Sequence, residues 1–132
     1  MVIGNEYYGY VTVPSNWHKF IDVNNANVFQ YSDIGEYGYI VTLNTYEENL
    51  TPYAAATALE KKTIEEGNKA TVQATMVSNY TGYVVKAEYK DGTYLNVYLF
   101  TASDNKLHFV SIEGPDNTNE NFKIPYTFSM NK

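Results

Sequence analysis

The chain has 132 residues and a net charge of −6, with 44% hydrophobic residues, 18% charged residues and no cysteine. This length suits one domain with its own hydrophobic core, and the composition excludes a disordered chain. The lack of cysteine excludes disulfides, thiolate nucleophiles and zinc sites built on cysteine.

All nine basic residues are lysines, so the chain contains no arginine. An acidic chain without arginine lacks both the bidentate phosphate-binding group and the positive field that nucleic-acid binding requires. We therefore expect neither a nucleic-acid partner nor an anionic membrane partner. No apolar run has the length of a transmembrane helix, so we also predict no transmembrane segment.

The N-terminus, Met1 to Asn5, lacks the basic region and the long apolar stretch of a signal peptide. The cysteine-free chain is rich in Tyr and Asn, which suits an exported protein of a Gram-positive bacterium. We therefore predict an extracellular or surface-anchored protein, with a cytoplasmic location as the alternative. Residues 1–7 are interpreted as an N-terminal extension that follows a removed export signal, and residues 8–132 as a single domain.

The first half of the chain alternates short β-branched or aromatic runs with turns. This pattern predicts strands over residues 8–13, 28–31 and 39–46. The first strand ends at Pro14, and Trp17 and Phe20 are expected to anchor the next stretch to the core.

Residues 52–66 show the clearest helix signal. Thr51 can cap a helix, Pro52 fits its first position, and Gly67 is suited to its C-terminal end. The face expected to lie on a sheet consists of small or apolar residues: Ala55, Ala56, Leu59 and Ile64.

Four further strands are predicted over residues 71–77, 83–89, 94–101 and 107–113. Asp91-Gly92 favours a tight type I′ hairpin turn, and the last three of these strands form an antiparallel meander. A short helix is expected near Phe122, broken or kinked by Pro125. The predicted fold class is α+β, with an antiparallel sheet, a long helix after the third strand and a short C-terminal helix.

The order of these elements resembles the PsbP/Mog1-like fold family, in particular its bacterial exported proteins and lipoproteins of unknown function. The residues on which the resemblance rests are Val11-Thr12-Val13-Pro14, Trp17, Phe20, Ile40-Val41-Thr42-Leu43, Glu113-Gly114, Phe122 and Thr127-Phe128. The resemblance implies an α/β/α sandwich and a non-catalytic function. Pro125 departs from the uninterrupted last helix of that family. Because a fold does not determine a function, the site must be argued separately.

Catalytic signatures are missing from the sequence. The chain has two histidines, His18 and His108, but no Gly-x-Ser-x-Gly motif that would supply a serine nucleophile for a catalytic triad. We expect His108 to face solvent or lie at an edge. His18 with Asp22 makes only a weak metal pair, because zinc sites need three or four ligands. We therefore predict no catalytic residue, no metal and no cofactor.

Paired carboxylates occur at Glu47-Glu48 and Glu65-Glu66. Adjacent side chains point apart on strands and helices, so neither pair forms an acid/base dyad by itself. Residues 116–120 contain oxygen ligands but lack the spacing of an EF-hand loop.

The 14 tyrosines are the unusual feature of the sequence, because Tyr suits both half-buried sheets and recognition surfaces. The candidate binding surface consists of Trp17, His18, Tyr31, Tyr37, Tyr39, Tyr94 and Tyr98. We predict a binding or accessory domain of an exported bacterial protein, whose partner is a protein or a glycan. It should show either an exposed aromatic patch or a groove between helix and sheet. The alternatives are core packing of these rings in a purely structural domain of a larger surface protein, and a hydrolase with an unrecognised carboxylate or His site.

Overall fold

The computed structural model describes residues 1–20, 28–33, 35, 37–46 and 49–132. These residues form a mixed α+β domain with two antiparallel sheets and few helices. The strands are β1 (Val2–Asn5), β2 (Gly9–Thr12), β3 (His18–Phe20), β4 (Phe29–Ser32), β5 (Ile40–Tyr46), β6 (Lys69–Val77), β7 (Tyr80–Glu88), β8 (Tyr94–Thr101) and β9 (Leu107–Gly114). The helix α1 (Pro52–Glu65) follows β5, and a 3-10 helix (Glu120–Thr127) follows β9.

The large sheet has seven strands in the order β3-β4-β5-β9-β8-β7-β6, and all its pairs are antiparallel. Strands β6 to β9 form a meander of consecutive hairpins. The chain enters this meander at the far edge because α1 carries it from β5, in the sheet interior, across one face to β6. Strands β1 and β2 form a separate two-stranded hairpin.

The helix α1 begins and ends where the sequence predicts. The Thr51 hydroxyl accepts a hydrogen bond from the Ala54 N–H at 3.1 Å, and Pro52 is the first helical residue. At the other end Gly67 has φ of +88°, which an L side chain rarely adopts. However, α1 follows the fifth strand rather than the third. The sequence analysis did not predict β1 and β3, because residues 2–5 were assigned to an extension and residues 18–20 to a turn-rich stretch.

The 3-10 helix replaces the predicted short C-terminal helix. Asn119 caps it by accepting the Asn121 N–H at 2.9 Å, and Pro125 lies inside it. This helix and the β1–β2 hairpin cover the face of the large sheet opposite α1. The layer across the sheet from α1 is therefore a hairpin with a 3-10 helix, and not the second α-helical layer of the expected α/β/α sandwich.

Two hydrophobic clusters lie on the two faces of the large sheet. The cluster under α1 is aliphatic and includes Ala56, Val85, Val97, Leu99 and Leu107. The cluster under the hairpin and the 3-10 helix is larger and rich in aromatic rings. Because side chains alternate between the faces, a strand segment buried on both sides reads as a continuous apolar run, as residues 97–100 of β8 do.

The first residues of the chain belong to the folded domain. Val2–Asn5 pairs with Gly9–Thr12, and Ile3 is buried in the aromatic cluster. The N-terminal ammonium donates a hydrogen bond to the Val13 carbonyl at 2.8 Å. The region assigned to an extension, residues 1–7, thus contains a strand that helps to cover the sheet. Among the described residues, no helix is long and apolar enough to cross a membrane.

Candidate binding site

Three of the predicted surface residues lie in the core. Trp17 is 4% exposed, Tyr39 3% and Tyr98 2%. The Tyr98 hydroxyl lies 3.2 Å from the Tyr126 hydroxyl, and burial is the main reason why its pKa is raised. These rings pack in the aromatic cluster because the hairpin and the 3-10 helix cover that face of the sheet.

The other predicted residues differ in exposure. Tyr31 stacks on Phe29 with ring centroids 5.6 Å apart, and both Tyr31 and Tyr94 pack against the aromatic cluster while remaining partly exposed. His18 is exposed on β3, an edge strand. Tyr37 is 72% exposed, the highest value among the large hydrophobic and aromatic residues described. The seven residues therefore do not form one continuous exposed patch.

The structure does bring three of them together at a cleft. Trp17, Tyr37 and Tyr39 line a surface cavity of about 250 Å³. The remaining lining residues come from the turn after β2, the end of β4 and the start of the 3-10 helix: Pro14, Asn16, Asp33, Asn119, Glu120 and Asn121. We call this cavity the Trp17–Tyr37 cleft.

Asp33 organises the turn that forms one wall of the cleft. Its carboxylate accepts hydrogen bonds from the N–H groups of Tyr37 at 3.0 Å, Gly38 at 3.2 Å and Tyr39 at 3.2 Å. Asp33 is only 6% exposed, and Gly35 and Gly38 provide the positive φ angles of the turn. The buried carboxylate thus holds the backbone of residues 37–39 and presents the Tyr37 ring at the rim.

The cleft carries negative charge. Asp33 and Glu120 are among the described residues that line it, and none of those residues is a lysine. The pKa of Tyr39 is raised, first by burial and then by the negative charges of Asp116 and Asp33, as expected for a negative local potential. Such a site disfavours an anionic ligand and accepts a neutral or cationic one.

The sequence analysis missed the polar half of the cleft. Asp33 was interpreted as turn chemistry, and a carboxylate that precedes two nearby glycines was the available signal for its hydrogen bonds to the turn. Asn119 and Asn121 lie more than 80 residues from Asp33 in the sequence. They reach the cleft because the 3-10 helix packs beside the hairpin and Tyr39. The ring centroids of Tyr39 and Phe122, a residue of this helix, are 6.3 Å apart.

His108 is completely buried, so the expectation of a solvent-facing or edge histidine is wrong. Its strand, β9, is central, and its face of the sheet is covered. Nε2 lies 2.8 Å from the Asp104 carboxylate and Nδ1 lies 3.3 Å from the Tyr8 carbonyl. The ring packs between Phe100 and Phe128 and lines none of the surface cavities described here. This pair, a buried His108 and a partly exposed Asp104, links the β8–β9 turn to the β1–β2 hairpin.

Other candidate chemistry is not brought together in the described part of the chain. No group of three or more His, Asp or Glu side chains there could hold a metal ion. Asp22, the partner considered for His18, and the Glu47-Glu48 pair lie outside the described residues, as does the asparagine-rich stretch 24–27. Glu65 and Glu66 are exposed at the end of α1.

A second cavity of about 250 Å³ lies between α1 and the sheet. Its walls are mostly apolar and consist of Tyr46, Leu50, Ala55, Ala58, Leu59, Lys62, Leu99 and Phe109. This is the helix–sheet groove that the sequence analysis named as one possible contact surface. Its lining side chains end in two polar groups, the Tyr46 hydroxyl and the Lys62 ammonium, so it offers less directional recognition than the Trp17–Tyr37 cleft.

Comparisons with known proteins show the fold and nothing more specific. No family model matches the chain, and no curated protein matches it either. A crystal structure from Bacteroides thetaiotaomicron VPI-5482 is similar, with a TM-score of 0.57 and 16% sequence identity over 98% of this chain. The similarity covers 47% of that protein, so this chain spans about half its length. At this identity the likeness is one of fold alone.

Proposed function

We propose that the chain is a non-catalytic binding domain of an exported bacterial protein, with a PsbP/Mog1-like fold, and that it binds a neutral glycan in the Trp17–Tyr37 cleft. The observation that carries the proposal is the exposed Tyr37 ring, held by Asp33 at the rim of a cleft lined with amides and carboxylates.

The cleft offers the chemistry that a sugar ring requires. The apolar C–H face of a pyranose can pack on an aromatic ring such as Tyr37, which is 72% exposed. Sugar hydroxyls both donate and accept, as do the side-chain amides of Asn16, Asn119 and Asn121. The carboxylate of Glu120 adds an acceptor. An acidic sugar would be repelled by the negative charges of this site.

The size of the cleft also favours a single sugar unit. Its volume of about 250 Å³ is below the range of about 300–1,000 Å³ that is usual for cofactor and drug-sized ligands. A terminal or branching sugar of a longer glycan fits this volume.

A binding role agrees better with the site chemistry than the two alternatives. A hydrolase requires an acid pair or a His–acid pair that substrate can reach, whereas His108 is sealed beneath the hairpin. A purely structural domain gives no reason for the highly exposed Tyr37 beside a polar cleft. The proposed export follows from the composition and from the resemblance of the sequence to exported bacterial proteins.

The experiment is a glycan array containing neutral and acidic glycans, followed by titration of the strongest neutral oligosaccharide. Trp17 is the single tryptophan of the chain and lines the cleft, so its fluorescence reports binding at this site directly. We expect binding to neutral glycans and a change in Trp17 emission.

The Tyr37→Ala variant should weaken the affinity at least about tenfold, the effect of losing about 1.4 kcal/mol. Tyr126→Ala is the matched control, because Tyr126 is 47% exposed and does not line the cleft. The proposal would be refuted if the protein bound no neutral glycan on the array. Equal affinities of Tyr37→Ala and the wild type for the strongest neutral oligosaccharide would also refute it.

A further inference from the structure

The strand β6 forms one edge of the large sheet along nine residues. It pairs with β7 without interruption from Lys69–Glu88 to Val77–Tyr80. The two-residue turn at residues 78–79 makes Val77 and Tyr80 a hydrogen-bonded pair, so every second residue of β6 bonds to β7. The residues between them direct their N–H and C=O groups outward: Ala70, Val72, Ala74 and Met76.

This edge lacks the usual protection against pairing with another strand. Natural edges are commonly blocked by prolines, bulges or several charged side chains. β6 contains no proline, its register shows no bulge, and Lys69 at its first position is its single charge. Its outward hydrogen-bonding groups are therefore free to pair along most of its length.

Exposed apolar side chains lie beside the same edge. Tyr53 and Ile64 on α1 are 56% and 52% exposed, and Met76 on β6 is 54% exposed. Tyr53 and Ile64 are the apolar ends of a stripe at helical spacing that also contains Thr57 and Glu60. Tyr53 lines a cavity together with Ala74. Met76 lies on the α1 face of the sheet, because its side chain points to the same side of β6 as those of Ala70 and Val72. Both of these residues pack against the cluster under α1.

We propose that β6 is a homodimer interface, in which β6 of a second copy of this chain pairs antiparallel across a two-fold axis at Gln73. This register places Val72 opposite Ala74, Thr71 opposite Thr75 and Ala70 opposite Met76. Each pair is repeated by the axis, as an isologous interface requires. Lys69 lies opposite Val77, so no like charges of β6 oppose each other.

The α1 stripe becomes part of the same interface. Both copies of α1 lie on the same face of the joined sheet, because a two-fold axis perpendicular to the sheet does not exchange its faces. Ile64 is close to the start of β6 and therefore lies above Met76 of the partner subunit. A stable interface buries about 1,200 Å² or more in total, which edge pairing alone does not reach, so the exposed side chains beside the edge are needed.

The Trp17–Tyr37 cleft stays open in this dimer. It lies beside β3 and β4, at the opposite end of the seven-stranded sheet, about 29 Å from β6 at the usual strand spacing. The dimer and the proposed glycan site are thus independent, and either can fail without the other.

The test is sedimentation equilibrium of the purified chain over a range of concentrations. We expect a species of twice the 15.0 kDa chain mass. Ala74→Pro removes an outward N–H without removing a bond to β7. Met76→Lys places a charge against the apolar side chain of Ile64 across the interface, where the charge would lose solvent. Each should raise the dimer dissociation constant at least about tenfold.

Leu50→Lys is the matched control, since Leu50 is 42% exposed but lines the groove on the other side of α1. It should leave the dimer intact. Circular dichroism melting checks that each variant is folded. A wild-type monomer at every concentration would overturn the proposal, as would dimers of Ala74→Pro and Met76→Lys as tight as those of the wild type.

Discussion

The two faces of the large sheet are both covered, but to very different degrees. On one face, α1 is the described element that packs on β6, β7 and β8, and an apolar groove remains open between the helix and Phe109. On the other face the β1–β2 hairpin and the 3-10 helix bury the rings of Phe100, Tyr98 and Phe128 completely or nearly so. A single short helix with alanines on its inner side is too narrow to seal a sheet of seven strands.

The difference extends to the charged side chains. On the sealed face, the buried His108 imidazole lies 2.8 Å from the carboxylate of Asp104, which is partly exposed in the β8–β9 turn. Glu113 lies on the α1 face, because its side chain points to the same side of β9 as those of Leu107 and Phe109. Burial, followed by the negative charge of Asp91, raises its pKa. The sealed face thus contains a paired polar side chain, His108, and also the buried Thr45 hydroxyl, which has no hydrogen-bond partner among the described residues. The open face leaves the Glu113 carboxylate partly desolvated.

The largest expected effect comes from removing one phenylalanine ring from each face and comparing the two losses of stability. Phe100→Ala should lower the free energy of unfolding by about 4 kcal/mol, because the cavity is fully enclosed by Tyr80, His108 and Phe128. Phe109→Ala should cost only about 1–2 kcal/mol, since Phe109 already borders an open groove. Urea denaturation measures both variants, and equal losses would break the comparison.

A smaller effect is expected from the pair on the sealed face. Asp104→Asn weakens the hydrogen bond to His108 Nε2 and should lower the free energy of unfolding by about 2 kcal/mol. Asp116→Asn serves as the control, because Asp116 is exposed and bonds only within its own turn. Its effect should stay within about 0.5 kcal/mol. Identical urea curves for the two variants would show that the His108–Asp104 pair adds no stability.

The smallest effect concerns Glu113 on the open face and depends on pH. Its pKa in the folded chain is raised above the ordinary glutamate value of 4.5. Between the unfolded and the folded pKa the native state binds more protons, so this group lowers the stability as pH rises through that window. Glu113→Gln should therefore raise the Tm at pH 7, and the Tm values of variant and wild type should converge at pH 4. Thermal melts across this range test the sign, and a variant less stable than wild type at pH 7 would contradict it.

Sequence reasoning worked where local chemistry decides the outcome. Thr51 and Pro52 place the start of α1 and Gly67 its end, because capping groups and backbone preferences act within a few residues. The predicted strands β2, β4 and β5 to β9 also lie where their apolar patterns indicate, within two or three residues. Asp91-Gly92 does turn the chain between β7 and β8, but only Gly92 has a positive φ, so the turn is not the type I′ that was predicted.

Sequence reasoning failed where a distant segment decides whether a face is covered. Ile64 was predicted to pack on the sheet but is 52% exposed, because α1 turns residues 56, 59 and 63 toward the sheet instead. His108 was expected outside because it alternates with Leu107 and Phe109, yet the opposite face is equally buried. Strand alternation alone does not distinguish an exposed face from one covered by a hairpin a hundred residues away.

The sequence by itself determined the α+β class, the position of α1, most of the strands, and the absence of cysteine and arginine chemistry. Those features depend on residue type and on interactions between near neighbours. The tertiary structure decided which aromatic rings are buried, why Tyr37 is highly exposed while Trp17 and Tyr39 are not, and which polar groups join them at the cleft. The reason is physical: exposure depends on what packs above a side chain, and here the covering segments come from the two ends of the chain.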